Sequence, residues 1–217
     1  MPGWISSAST EVGARGLSPA GLRALKVALF LLCLLPLARL VLAGALGVFG
    51  GLGANPVEFV TRSTGTWTLV ALCLTLAISP LRRLSGWAWL VRLRRMIGLF
   101  AFFYASLHLT TYLWFDQWFE LLAIGKDVLR RPFIAAGFVT WLLLLPLAVT
   151  STDAAMRRLG RNWGRLHRLV YLAVGVALLH YVWHKAGKND YATVSIYAVV
   201  VAVLLAERVF IRLRRRA

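Results

Sequence analysis

Acidic residues and cysteines are both scarce in this sequence. Only eight of the 217 residues are Asp or Glu, against 25 Lys and Arg. The two cysteines, Cys33 and Cys73, lie inside apolar runs, which argues against a disulfide framework. The same runs contain almost no carboxylates, which disfavours a proton relay of the usual acidic type.

Charged residues of either sign are also infrequent, and apolar residues take their place. The chain is 59% hydrophobic and 15% charged, with a mean hydropathy of +0.72. A soluble domain would not tolerate this balance, so we expect an all-α, polytopic membrane bundle surrounded by lipid. The net charge of +17 could suggest nucleic acid as a partner. The basic residues flank the apolar runs, however, as the positive-inside rule predicts, so we expect no nucleic-acid partner.

Six apolar runs predict six transmembrane helices. They cover residues 25–46, 67–78, 96–115, 133–149, 166–183 and 191–210. The second run is predicted to begin a few residues before Trp67 and to stop at Ser79-Pro80, because proline ends or kinks helices. The fourth is entered through Pro132, which suits a first helical turn. No internal sequence repeat is evident.

Basic residues are concentrated in three segments that should share one side of the membrane. Residues 82–95, 157–168 and 208–216 each contain five arginines, whereas the other connections are close to neutral. By the positive-inside rule, both termini are then cytoplasmic. We therefore predict three parts: a polar cytoplasmic N-terminus, a six-helix transmembrane domain with a core, and a basic cytoplasmic tail. Their boundaries are 1–21 for the N-terminus, 22–211 for the domain, 87–207 for its core and 212–217 for the tail. The N-terminus does not resemble a cleaved signal.

Two histidines are predicted to lie at the same depth on two different helices. His108 follows the basic edge at Arg95 by 13 residues (108 − 95), and His180 follows His167, at the equivalent edge, by 13 (180 − 167). Thirteen residues span roughly 20 Å of helix. Because the third and fifth spans run in the same direction, both imidazoles should lie in the outer half of the membrane.

Two imidazoles at one level could bind one haem iron from both faces. Neutral imidazole is a common haem ligand, and an iron with both axial positions filled suits electron transfer. There is no C-x-x-C-H motif, so the haem would be held by coordination alone. Two alternatives stay open for His108 and His180: separate polar packing contacts, or members of a proton relay.

His167 lies at the inner edge and has no obvious histidine partner. The residue of the third span at the same depth as His167 is Arg94 or Arg95, so a second bis-histidine site is not predicted. His167 could bind a second haem with an unusual or absent partner, pair with a flavin or quinone, or contact a haem propionate. It could also be an ordinary interfacial histidine. Arg94, Arg95 and Trp163 are candidates for inner-side flavin or propionate contacts.

The remaining histidine and three glycines within the spans allow plainer interpretations. His184 follows His180 by four residues and shares its helix face, and we interpret it as a boundary histidine in water. Gly98, Gly137 and Gly175 either let a flat macrocycle approach the backbone or serve ordinary small-residue packing.

Several segments carry a family resemblance. Residues 94–108, RRMIGLFAFFYASLH, closely resemble the third span of the MsrQ family, also called YedZ. So do RPFI at 131–134, LLPLAVTS at 144–151, RLGRNWGRLHRLVY at 158–171 and HYVW at 180–183. The resemblance covers about residues 87–207, whereas the first two spans match in hydropathy only. The MsrQ family belongs with the ferric-reductase-like transmembrane domains.

The resemblance implies an electron-transfer role. Members hold haem b, one or two per chain, in the bacterial inner membrane, and FMN is a further cofactor of the family. They take electrons from the quinol pool or a cytoplasmic flavin reductase. They pass them to MsrP, a periplasmic molybdopterin enzyme that reduces methionine sulfoxide in envelope proteins. The sulfoxide-reducing site is thus expected on the partner.

The resemblance also implies which residues serve the cofactors. The functional histidines of the family map onto His108, His167 and His180, with His108 and His180 as axial ligands. Relative to ferric reductases, the chain lacks a fourth histidine on the third span. No soluble FAD/NADPH domain follows the last span, so direct use of NADPH is not expected.

A function of another class is also compatible with buried histidines. They could serve a proton-coupled membrane transporter, which the absence of a Soret band would distinguish from a haem protein. An intramembrane protease is a third alternative, but no nucleophile motif such as G-x-S-x-G is present.

Overall fold

The structure is a computed structural model that describes residues 17–187 and 189–214. Within these residues the chain forms nine α-helices and no strand. The helices are α1 Pro19–Leu46, α2 Pro56–Ser85, α3 Val91–Thr111, α4 Leu121–Arg130, α5 Pro132–Val149, α6 Asp153–Leu159, α7 Arg161–Leu166, α8 Leu169–Ala186 and α9 Ala192–Arg214. A π-helical turn, Tyr112–Asp116, follows α3. The all-α prediction is confirmed.

Six segments of the described chain are long and apolar enough to cross a membrane. They are Pro19–Leu46, Pro56–Ser85, Ala88–Asp116, Pro132–Val149, Arg161–Ala186 and Ala192–Ile211. The count matches the six apolar runs of the sequence. The helix α4 lies between the third and fourth spans, and α6 precedes the fifth.

The second span is longer than the sequence predicted, and the predicted stop at Pro80 is wrong. The helix α2 runs through Pro80 to Ser85 and ends at Gly86, whose φ of 73° suits glycine. Proline lacks the N–H that would donate to the carbonyl four residues earlier, which belongs to Leu76. Arg208 of α9 replaces that donor, because its Nη2 lies 2.5 Å from the Leu76 carbonyl oxygen. A distant arginine thus satisfies the backbone group that the proline leaves free.

The fifth span is interrupted, so His167 and His180 do not share one regular helix. The helix α7 ends at Leu166, and His167 and Arg168 form a turn before α8 begins. Backbone hydrogen bonds there tighten to three-residue spacing, from the Arg168 N–H to the Arg165 carbonyl and from the Tyr171 N–H to the Arg168 carbonyl. Such tight turns commonly mark a break in a helix.

The bundle is built around two helix pairs. The helix α2 packs along α3, and α5 packs along α8; in addition, α3 contacts α5 and α2 contacts α8. Residues 72 positions apart occupy equivalent places: Ala101 of α3 and Ala173 of α8 are each 0% exposed. Leu72 and Leu144, on the first helix of each pair, are both buried. The structure therefore repeats even though the sequence shows no evident repeat.

The first and last spans cover the outside of this core. Tyr104 of α3 is buried and donates its hydroxyl hydrogen to the Cys33 carbonyl of α1 at 2.7 Å. Arg208 of α9 reaches both pairs, since it also donates to the Tyr171 hydroxyl oxygen of α8 at 2.5 Å.

Candidate functional site

His108 lies near the end of α3 and is held by the backbone of α2. Its Nδ1 is 2.9 Å from the Thr61 carbonyl oxygen. A carbonyl can only accept a hydrogen bond, so Nδ1 carries the hydrogen and Nε2 is left with its lone pair. This tautomer presents Nε2 as a potential metal ligand.

His180 of α8 is held in the same way by the backbone of α5. Its Nδ1 is 2.6 Å from the Phe133 carbonyl oxygen. The same argument assigns the hydrogen to Nδ1 and leaves Nε2 free to bind a metal. In each helix pair, the first helix therefore orients the histidine of the second.

The two imidazole rings lie next to each other between the helix pairs. Their centroids are 6.0 Å apart, and their planes are inclined by 77°. Two imidazole–metal bonds of about 2 Å each, plus the radius of both rings, come to about 6 Å. The residues present therefore fit an iron bound between them from opposite sides. The expectation that the two side chains lie at one level agrees with this geometry; their ligation of haem stays a prediction.

The two halves of the site are related by one sequence offset. His108 and His180 are 72 residues apart (180 − 108), and so are Thr61 and Phe133 (133 − 61). Each histidine thus lies 47 residues after the carbonyl that holds it (108 − 61 and 180 − 133). The side chains at 61 and 133 differ, so the repeat concerns the backbone and was not visible as a motif.

Two glycines touch the imidazoles, and sequence reasoning identified only one of them. A Cβ built on Gly65 of α2 would lie 3.1 Å from Nδ1 and Cε1 of His108. A Cβ on Gly137 of α5 would lie 3.1 Å from the same two atoms of His180. Gly65 was missed because it lies just outside the apolar run 67–78, and only glycines inside the apolar runs were considered. The available signal was the spacing, since each glycine precedes its histidine by 43 residues (108 − 65 and 180 − 137).

The other two glycines singled out in the sequence do not touch a histidine. A Cβ on Gly98 would make ordinary contact with Thr75 at 3.7 Å, and a Cβ on Gly175 would meet nothing within 4 Å. Gly98 fits the packing interpretation. Only Gly137, of the three, lies against the candidate site.

His167 is in a different setting at the other end of the bundle. Its ring stacks on Trp163, with centroids 3.9 Å apart, and its Nδ1 is 3.2 Å from the Trp163 carbonyl oxygen. Trp163 is itself fixed, because its Nε1 donates to the Thr150 carbonyl at 2.9 Å. His167 Nε2 lies 3.5 Å from the Ser151 hydroxyl, and the imidazole also interacts with the Leu147 backbone. That hydroxyl already donates to the Leu147 carbonyl.

The two inner arginines are engaged differently. Arg95 forms an ion pair with Asp153 at the start of α6. The Arg95 guanidinium holds the pKa of the Asp153 carboxyl below its ordinary value. Arg94 is half-buried and lies close enough to His167 and Arg208 for their charges to interact. The structure thus gathers Arg94, Trp163 and His167 at one end, while a flavin or propionate role for them stays a prediction.

His184 does not belong to a metal cluster with His180. Its ring lies 5.8 Å from the Phe133 ring, which packs beside both histidines. Across residues 17–187 and 189–214, no group of three or more His, Cys, Asp or Glu side chains is arranged to hold a metal ion. The candidate metal site is therefore the pair of imidazoles of His108 and His180.

Comparisons with known proteins agree with the membrane architecture. Residues 64–178 match the model of the ferric reductase like transmembrane component, which spans just over half of the chain. A protein of Ralstonia nicotianae is 56% identical over 195 residues, covering 89% of this chain and 88% of the relative. A protein of Herminiimonas arsenicoxydans is 54% identical over 201 residues, covering 92% and 91%.

A third relative, from Bordetella pertussis, is 54% identical over 192 residues, covering 88% of this chain and 92% of the relative. All three relatives bear the name protein-methionine-sulfoxide reductase heme-binding subunit MsrQ. No solved structure matches the chain.

Proposed function

Because this chain belongs to the MsrQ family, within the ferric reductase-like transmembrane proteins, we propose that it is a membrane-bound haem b protein that delivers electrons for methionine-sulfoxide reduction. The observation that carries the proposal is the meeting of two imidazoles from separate helix pairs. Their rings are 6.0 Å apart, and both point their unprotonated nitrogen away from a backbone acceptor.

Each part of this arrangement has a physical role. The Thr61 and Phe133 carbonyls hold the hydrogens of the two Nδ1 atoms and so keep both Nε2 lone pairs available. An Nδ1–H bonded to a carbonyl is also a more basic ligand at its other nitrogen. When bound, haem b would supply an iron that accepts and releases one electron at a time. If His108 and His180 held that iron from both sides, it would serve electron transfer and not bind a substrate.

We infer that sulfoxide reduction takes place on a partner, since an iron held by both histidines would offer no site to a substrate. We propose MsrP in the periplasm as the electron acceptor, and the quinol pool or a cytoplasmic flavin reductase as the donor. Arginine-rich segments at 82–95 and 157–168 support a cytoplasmic inner side, with both termini there and the chain in the bacterial inner membrane. His167, Arg94 and Trp163 lie together at that side. We propose them as the contacts of a second cofactor, FMN or a second haem.

The test is the spectrum of the purified protein reduced with dithionite. His108→Ala and His180→Ala should each abolish the same low-spin haem signal, because either change removes one axial ligand. His184→Ala is the matched control, since it removes a neighbouring imidazole from the helix of His180 and should leave the signal in place. A colourless wild-type protein would refute haem binding and favour the transporter alternative. An unchanged signal in both ligand variants would refute the pairing.

A further inference from the structure

The two carbonyls that hold the imidazoles also belong to helices. In an α-helix the carbonyl of residue i accepts the N–H of residue i+4. Thr61 therefore pairs with Gly65, and Phe133 pairs with Gly137 (65 − 61 and 137 − 133 are both 4). The histidine Nδ1–H is then a further donor to an oxygen that already serves its helix. The Thr61 oxygen also lies 3.0 Å from the Thr64 hydroxyl, which is shared with the Val60 carbonyl.

A side chain at position i+4 would obstruct this further donor. Helix side chains lean toward the N-terminus and cover the turn that precedes their own Cα. The residue four positions after the carbonyl is therefore the one that would cover it, and in both helices that residue is glycine. Glycine is a poor helix former compared with alanine, so its presence at both positions calls for a local reason.

The imidazoles fill the space that the missing side chains leave. A Cβ at Gly65 or Gly137 would approach the ring atoms to 3.1 Å, closer than the 3.5–4.0 Å of ordinary carbon contacts. Each ring would have to move by a few tenths of an ångström. The two nearest ring atoms are Cε1 and Nδ1, and Nδ1 makes the hydrogen bond to the carbonyl. The same contact occurs on both sides of the site, with the same spacing.

We propose that Gly65 and Gly137 are paired positioning residues, which expose the Thr61 and Phe133 carbonyls and thereby fix the tautomer and rotation of the two axial imidazoles. The proposal rests on the haem function proposed above. It also gives a specific cause for the 77° angle between the two ring planes. The two glycines act through the histidines.

The angle itself gives a test in the unaltered protein. Near-perpendicular imidazole planes give low-spin ferric haem a strongly anisotropic EPR signal with a large maximum g value, whereas parallel planes give a rhombic signal. The wild-type protein should show the strongly anisotropic signal. A rhombic signal from the haem that requires His108 and His180 would overturn the proposal without any glycine variant.

The variants Gly65→Ala and Gly137→Ala test the glycines directly. Each should retain haem but change the g anisotropy of the EPR signal. Each should also raise the midpoint potential, because a weakened Nδ1–H bond makes the imidazole a poorer donor to ferric iron. Gly98→Ala is a matched control on a histidine-bearing helix, where a Cβ has an ordinary contact with Thr75. This control should keep the wild-type spectrum and potential.

The outcomes separate this proposal from the function on which it rests. Loss of the signal in His108→Ala and His180→Ala, combined with wild-type EPR and potential in both alanine variants, would refute the role of the glycines alone. An equal shift in the control variant would also refute it. If the alanine variants fail to assemble, a rhombic EPR signal from the wild-type protein still overturns the proposal.

Discussion

The two helix pairs of this bundle are alike at one end and different at the other. At the end with the paired imidazoles, α2–α3 and α5–α8 supply the same parts: a carbonyl, a glycine and a histidine, each displaced by 72 residues. At the other end the same displacement relates Arg95 to His167 (167 − 95). One pair offers a guanidinium there, and the other offers an imidazole.

This difference indicates which features depend on symmetry. A site that grips an iron from two faces needs two equivalent donors, and the repeated geometry delivers them at one level only. At the inner level Arg95 turns to Asp153, whereas His167 stacks on Trp163. A protein built from two similar halves can therefore keep one two-sided site and use the opposite end for other interactions.

The largest expected effect comes from placing a histidine at the inner end of α3, because the pair α5–α8 already has His167 at that end. Arg94→His should create a second pair of imidazoles, because residue 94 is half-buried and lies close to His167. Protein produced with ample haem should then contain more low-spin haem per chain, as measured by pyridine haemochrome and EPR. Arg95→His is the matched control, since the Arg95 side chain is exposed and turns to Asp153. No increase, or an equal increase in the control, would contradict this arrangement.

An intermediate effect is expected where Arg208 joins the two pairs. Arg208→Met should lower the free energy of unfolding by about 1–3 kcal/mol, because the buried Leu76 carbonyl loses its donor. In a Pro80→Ala background the cost should be smaller, since residue 80 regains an N–H for that carbonyl. Unfolding of the four proteins in detergent would measure the coupling. Strictly additive effects would show that Arg208 does not compensate for the proline.

The smallest effect is expected at the exposed ion pair that links α3 to α6. Arg95 lowers the pKa of Asp153, so this contact stabilises the folded state fully above the ordinary carboxyl pKa of about 3.9. The stabilisation is lost as the pH falls through the lower folded-state value. Asp153→Asn should therefore lower the unfolding midpoint slightly near neutral pH, and the difference should disappear in acid. Asp153→Glu, which keeps the charge, should retain most of the stability. A difference in unfolding midpoint between the wild-type protein and Asp153→Asn that widens in acid would contradict a stabilising ion pair.

The sequence predicted the features that depend on local composition. The six spans follow from apolar runs, and the common level of His108 and His180 follows from the regular rise of a helix. Both arguments need only the residues of one segment at a time. They hold because each span must satisfy its own backbone hydrogen bonds in lipid.

The features that were missed depend on residues far apart in the chain. The helix α2 passes through Pro80 because Arg208, 128 residues later (208 − 80), supplies the lost donor. Gly65 gained its meaning only from the imidazole that lies against it. The helix breaks at His167, whose ring stacks on Trp163, and hydropathy does not predict such a contact. Such contacts become visible only when the helices are placed side by side.

The use of main-chain oxygens to hold both imidazoles has a consequence for how this protein can evolve. A codon change at Thr61 or Phe133 replaces a side chain but leaves the carbonyl in place. The acceptor of each imidazole is therefore protected from point mutation in a way that an Asp or Asn acceptor would not be. Natural variation in the redox properties of the site should instead arise from the helices that carry these carbonyls, through small changes in their position.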